Sequence, residues 1–68
     1  MFIGKALREL RIEREMSQTE LSEEINVRSS TVSRWESDRA RPNIESLMKL
    51  ATLFGVTLEE LANGELTA

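Results

Sequence analysis

The 68-residue chain contains no cysteine, histidine or tyrosine, and only one proline and three glycines. Without cysteine there is no disulfide framework and no thiolate metal site. Without histidine, hydrolytic triads, zinc sites and most acid–base chemistry at neutral pH lack their usual side chain. An enzyme is therefore not expected, and no cofactor or metal is implied. Long apolar runs are missing as well, so no segment is predicted to cross a bilayer. Residues 1–3 lead at once into charged, amphipathic sequence, unlike a secretory signal. The expectation is a cytoplasmic protein with no membrane partner and no evident small-molecule ligand.

A chain of this length holds one domain, 1–68, and a core of this size yields only a few kcal/mol of net stability, so individual caps matter. The net charge of −3 is unevenly spread: residues 1–16 carry +1, 17–26 carry −3, 27–42 carry +2 and 43–68 carry −3. The basic excess thus gathers in 27–42.

The stretch from Gln18 to Ser37 organises the rest. Leu21 and Ile25 are four apart and share one face of a helix; Val32 and Trp35 are three apart and share one face of a second. Val27 falls between the two helices, where it can plug the corner. Arg28, Ser29, Ser30, Ser33 and Arg34 then point outward. Hydroxyls and guanidiniums in that arrangement suit base edges and phosphates.

The remaining helices follow from periodicity and punctuation. Ile3, Leu7 and Leu10 mark a helix over about 3–14, with Arg11 near its apolar edge, where a charge needs a partner. Ser17 to Glu20 has the S-x-x-E form of a capping box, opening a helix over 18–25. Asn26, tolerant of a left-handed backbone, is the expected stop. The third helix spans about 29–37, and 38–42 is a loop, because Pro42 pushes Arg41 out of the helical region. Asn43 caps a fourth helix over 44–54, where Ile44, Leu47, Met48, Ala51 and Phe54 line one side and Leu50 and Leu53 widen the stripe. A stripe so broad predicts burial on two flanks. Gly55 ends that helix, and Thr57 with Glu60 forms a second capping box for a fifth over 58–62. No stretch alternates like a strand, so the chain is predicted all-α.

The segments SQTELSEEINV, STVSRWE and RARPNIESLMKLATLFGVTLEEL, in that order and spacing, resemble the lambda-repressor-like (Cro/XRE-type) helix-turn-helix family over nearly the whole chain. The resemblance implies a compact five-helix fold whose second and third helices form the helix-turn-helix, with the third in the major groove. It implies base contacts from Ser29, Ser30, Ser33 and Arg34, and phosphate contacts from Gln18, Thr31, Arg39 and Arg41. It also implies that Arg11 pairs with Glu36. For Arg34 the choices are base, phosphate or solvent; the serines divide in the same way.

Three positions depart from the family pattern. Asn26 replaces the usual glycine, and Ser22 replaces a small alanine, so its hydroxyl needs a backbone acceptor. Arg28 stands where a capping Ser or Thr is usual. Either the cap moves to Ser29, or Arg28 exchanges capping for a phosphate contact.

The implied function is sequence-specific binding of double-stranded DNA by a transcriptional regulator, a repressor acting as a homodimer on a near-palindromic operator. Leu58, Leu61 and Leu66 are the candidate dimer contacts, with closure of the monomer core as the alternative for Leu58 and Leu61. The competing function is an antitoxin-like interaction subunit, whose acidic surfaces at Glu20, Glu23, Glu24, Glu59 and Glu60 would meet a basic protein partner.

Overall fold

A computed structural model describes residues 3–63, and in them five helices follow one another with no strand. They are α1 (Gly4–Glu13), α2 (Gln18–Glu24), α3 (Ser29–Glu36), α4 (Ile44–Phe54) and α5 (Leu58–Asn63). Polar side chains decide where most of them begin. Ser17 Oγ accepts the Glu20 N–H at 3.0 Å while Glu20 Oε1 accepts the Ser17 N–H at 2.9 Å. Hydrogen bonding from the Ser17 backbone N–H, and then from its hydroxyl, holds the Glu20 carboxyl below its ordinary pKa. Thr57 and Glu60 make the same reciprocal pair at 2.9 and 3.0 Å, and Asn43 Oδ1 accepts the Ser46 N–H at 2.8 Å. Each such cap contributes about 1 kcal/mol. The start of α1 works differently. Ile3 occupies its cap position and supplies no side-chain bond. Instead Asp38, just past the end of α3, accepts the Gly4 N–H at 3.0 Å, placing a carboxylate where the helix dipole favours one.

The first four helices all stop by one device. Residues Glu15, Asn26, Asp38 and Gly55 take left-handed backbone, with φ of 55°, 59°, 59° and 67°. The N–H of each bonds three residues back, to Ile12, Glu23, Trp35 and Thr52, and the next N–H bonds five back, to Arg11, Ser22, Arg34 and Ala51. This is the Schellman stop. Met16, Val27 and Val56, each following a left-handed residue, turn inward onto the core. Of the four, only the last stop uses glycine; the other three hold an L side chain where it costs about 1–2 kcal/mol.

The core gathers Ile3, Leu7 and Leu10 from α1 and its cap, Leu21 and Ile25 from α2 and its end, and Val32 and Trp35 from α3, with Leu50, Ala51, Phe54 and Leu61 behind them. Ser22 is buried as well, and its hydroxyl donates to the Thr19 carbonyl at 2.6 Å, which satisfies it. The broad stripe on α4 is covered on one flank rather than two. Leu50, Ala51 and Phe54 are buried and Leu47 and Leu53 half-buried, whereas Ile44 is 61% and Met48 57% exposed. Ile44 opens the helix and Met48 lies off the inward face, so no described residue covers them. Leu61 is fully buried and Leu58 half-buried. Leu61 therefore closes this chain's own core and presents nothing to a second copy, which withdraws it as a dimer contact. Leu66 lies outside the described residues. No helix among the described residues is long and apolar enough to cross a membrane.

Two contacts that carry no local signature brace this core. The Arg14 guanidinium donates to the Leu53 and Phe54 carbonyls, each at 3.0 Å, and lies 5.5 Å from the centre of the Phe54 ring. A cation is thereby fixed on the last carbonyls of α4, where the dipole favours it. At the other end of α1, a Cβ on Gly4 would stand closer than 3.0 Å to Asp38 Oδ1 and to the carbonyl oxygens of Trp35 and Glu36. Glycine is required there by close approach.

Two substitutions check these points by urea unfolding. Glu15→Gly should raise stability by about 0.5–1 kcal/mol, since relief of the left-handed strain exceeds the extra freedom of the unfolded glycine. Gly4→Ala should lower it by about 1–3 kcal/mol, the usual cost of overpacking.

Candidate nucleic-acid interface

Two buried residues on each side hold α2 and α3 together: Leu21 and Ile25 from the first, Val32 and Trp35 from the second. Between them the chain turns at Asn26, whose left-handed backbone accomplishes the change of direction. With Val32 and Trp35 inward, helical spacing sends Ser29, Ser30, Ser33 and Arg34 outward, and all four are exposed. Thr31 is half-buried beside them. Arg28, Arg39 and Arg41 are exposed at the two ends of α3 and in the loop beyond. The outward face of α3 and the three arginines that flank it in the chain are thus all open to solvent.

The start of α3 puts Arg28, not Ser29, at the cap position. Its backbone is extended, with φ −81° and ψ 149°, and it holds the cap position, but its side chain makes no capping bond. Ser29 is the first helical residue, so the cap does not move there. The N–H groups of Thr31 and Val32 return to the Arg28 carbonyl, and no side chain of a described residue caps the first turn. Among the five helices, α3 alone has an N-terminus with no side-chain cap from any described residue.

Behind α3 stands an ion pair. Arg11 Nε and one terminal nitrogen donate to the two Glu36 oxygens at 2.6 and 2.9 Å, and the other terminal nitrogen donates to the Met16 carbonyl at 2.8 Å. Their side chains are 13% and 5% exposed. Hydrogen bonding to Glu36, reinforced by its charge and opposed by burial, raises the Arg11 pKa above its ordinary value. Gln18 joins the pair, its amide nitrogen donating to Glu36 Oε1 at 3.2 Å. The family resemblance implies a phosphate contact for Gln18; one of its two amide hydrogens is engaged with Glu36, leaving the other for an outside acceptor. Side chains of α1 and of the first turn of α2 meet at this carboxylate on the last residue of α3, and Arg11 ties the residue before the α2 cap to the group.

Arg8 is the residue of this region that sequence reasoning passed over. It is exposed on α1 and lines a cleft of about 280 Å³ together with Arg11, Gln18, Ser33, Glu36 and Ser37. Its three-residue spacing from Arg11 was the available signal. No group of three or more acidic, histidine or cysteine side chains able to hold a metal occurs among the described residues.

Comparison with known proteins adds the family context. The family model described as Helix-turn-helix matches residues 7–61. The chain is 37% identical over 65 residues to the HTH-type transcriptional activator BcrR of Enterococcus faecalis, covering 96% of this chain and 32% of that protein. It is 36% identical over 63 residues to the cryptic phage CTXphi transcriptional repressor RstR of Vibrio cholerae, covering 93% of this chain and 56% of that one. It therefore spans about a third to about half of these relatives' length. Among solved structures it superposes on the P22 c2 repressor protein in complex with a synthetic operator, with a TM-score of 0.88 and 25% identity, over 96% of this chain and 98% of that one.

Removing one partner of the buried pair leaves the other charge uncompensated, which costs about 3–5 kcal/mol. Arg11→Met should therefore bring this small domain close to unfolding at 25 °C, as read by circular dichroism in a urea titration. A loss below about 1 kcal/mol would mean that the pair contributes no more than a solvated one.

Proposed function

The chain belongs to the helix-turn-helix family, and from that premise we propose that it binds double-stranded DNA sequence-specifically as a transcriptional regulator. The observation that carries this reading is the combination at α3: an inward face locked by Val32 and Trp35, an outward face of hydroxyls and a guanidinium, and an uncapped N-terminus. A helix so held can enter the major groove with its first turn at the bases. Ser29, Ser30, Ser33 and Arg34 read base edges. A guanidinium such as that of Arg34 can bridge guanine O6 and N7, a contact that discriminates by about 1–3 kcal/mol. Gln18, Arg28, Thr31, Arg39 and Arg41 lie on phosphates and set the register.

Two copies on a near-palindromic operator present their α3 helices about 34 Å apart. With Leu61 buried, Leu58 is the remaining described candidate of the three leucines for that contact. Occupancy of an operator is enough for repression, whereas activation needs a further contact, so repression is the direction we favour; a cytoplasmic location goes with it. No residue of this interface has catalytic work to do. The acidic exposed faces at Glu20, Glu23, Glu24 and Glu59 support a second reading, in which the same fold holds a basic protein partner.

Selection of bound sites from a random duplex pool separates the two. The DNA reading expects a symmetric consensus and steep salt dependence, because phosphate contacts release counterions. Absence of any binding at low salt would favour the protein partner. On the selected site Arg34→Ala should lose about 1–3 kcal/mol and relax preference at one base pair, while Arg39→Ala should weaken all duplexes alike. Uniform weakening by both would make Arg34 a phosphate contact.

A further inference from the structure

The cleft where α1, α2 and α3 meet joins Gln18 and Ser33, already assigned to DNA, to Arg8, a side chain of α1 that the helix-turn-helix does not use. We propose that it is a phosphate-binding notch in which Arg8 supplies the charge, so that α1 grips the DNA backbone beside the reading face of α3. This rests on the DNA-binding reading above.

The floor of the notch is already satisfied. Glu36 accepts from Arg11 twice and from Gln18 once, and the remaining Arg11 terminal nitrogen donates to Met16. Ser37 spends its hydroxyl on the Ser33 and Arg34 carbonyls. Among the lining residues, the donors not committed in this way are the Arg8 guanidinium, the second amide hydrogen of Gln18 and the Ser33 hydroxyl. Among the described residues the only carboxylate lining the cleft is Glu36, and it is neutralised by Arg11, so Arg8 leaves that lining at a net +1.

Arg8 also has no acidic neighbour on its own helix face. The positions three and four residues away, where a partner would have to stand, are Gly4, Lys5, Arg11 and Ile12. Of these, Arg11 is paired with Glu36 and Lys5 repels Arg8, while the Asp38 carboxylate at the start of α1 is committed to the Gly4 N–H, so the exposed Arg8 is well placed for an anion. At about 30 Å³ per water, a cleft of about 280 Å³ holds several waters, room for a phosphate group. Ser33, on the wall of the notch, belongs to the outward face of α3, so an anion seated there lies next to the bases that α3 reads. That anion is a backbone phosphate of the same duplex.

The test is the salt dependence of duplex affinity for the intact chain, its Arg8→Gln and Arg8→Lys variants, and Lys49→Gln as a control. Lys49 is an exposed lysine on α4 that does not line the notch. Arg8→Gln should reduce the slope of log K against log salt by about 0.9, the value for one phosphate. Extrapolated from 1 M salt, where that contribution vanishes, this is a loss of about eightfold at 0.1 M, equal on selected and random duplex. Arg8→Lys should restore most of the slope, Lys49→Gln should leave it near the original, and the melting temperature of Arg8→Gln should be unchanged. Ethylation interference should show one phosphate per half-site that matters to the original chain and not to Arg8→Gln.

An unchanged slope in Arg8→Gln, while the original chain still binds duplex, would overturn the notch and leave the DNA-binding reading intact. Equal slope losses in Arg8→Gln and Lys49→Gln would reduce the effect to net charge and overturn it too. Stabilisation of the free protein by millimolar inorganic phosphate, lost in Arg8→Gln without any change in duplex slope, would assign the notch to a free anion. If the original chain bound no duplex at any salt, the DNA reading itself would fall and the notch with it.

Discussion

Glu36 closes α3, and its carboxylate is the point at which the first three helices are joined. Arg11 reaches it from α1 through two parallel bonds, Gln18 from the first turn of α2 through a third, and the spare Arg11 nitrogen ties the assembly to the carbonyl that precedes the α2 cap. Apolar packing of Leu21, Ile25, Val32 and Trp35 is non-directional and could tolerate a small rotation of α3. A bidentate guanidinium–carboxylate pair does not, because two bonds fix the relative plane of the groups. Removing both charges for apolar groups of equal shape could even stabilise the domain. What the pair supplies, on that comparison, is orientation: it sets how the outward face of α3 stands relative to α1 and α2.

The four left-handed stops have the complementary task. Each turns the chain sharply without lengthening the loop, and in three of them an inward residue follows at once. A domain of this length has little core to spare, and total stabilities of about 5–15 kcal/mol are usual even for larger chains. Strain of about 1–2 kcal/mol at each of Glu15, Asn26 and Asp38 is then a sizeable fraction. At Asp38 the strain has a clear return. The conformation that ends α3 aims its carboxylate at the Gly4 amide, so one residue terminates α3 and caps α1.

How far the fold could be read in advance follows from the range of the interactions. Ser17 with Glu20, Thr57 with Glu60, and Asn43 with Ser46 are caps closed within three residues, and their spelling is enough to place them. The paired apolar residues of α2 and α3 are equally legible, as is the exposure of Ser29, Ser30, Ser33 and Arg34. Gly4 was not, because the atoms that exclude a Cβ come from residues 35–38. Arg14 was not, because its acceptors lie 39 and 40 residues away. On α4, periodicity marked an apolar stripe but could not say how much of it this chain alone would cover. Ile44 and Met48 show the limit. At the candidate site the same rule holds: arginines and serines could be assigned to a face, while the sharing of Gln18 and the position of Arg8 over a cleft depend on three helices meeting.

The open start of α3 is where stability and the proposed function pull in opposite directions. A serine or threonine at position 28 would cap the helix and contribute about 1 kcal/mol, and Ser29, already inside the helix, cannot take over that task. The chain instead carries an arginine there, with its side chain in solvent. The loss is tolerable only because α3 is held from its other end, by Glu36 and by the packing of Trp35. The first turn, free of a capping side chain, keeps its outermost N–H groups and a cation together at the edge that would approach a duplex. Phosphate oxygens can accept from both. On the DNA-binding reading, the cap missing from the protein is supplied by the ligand, so the helix that reads the bases becomes fully satisfied only when it is docked.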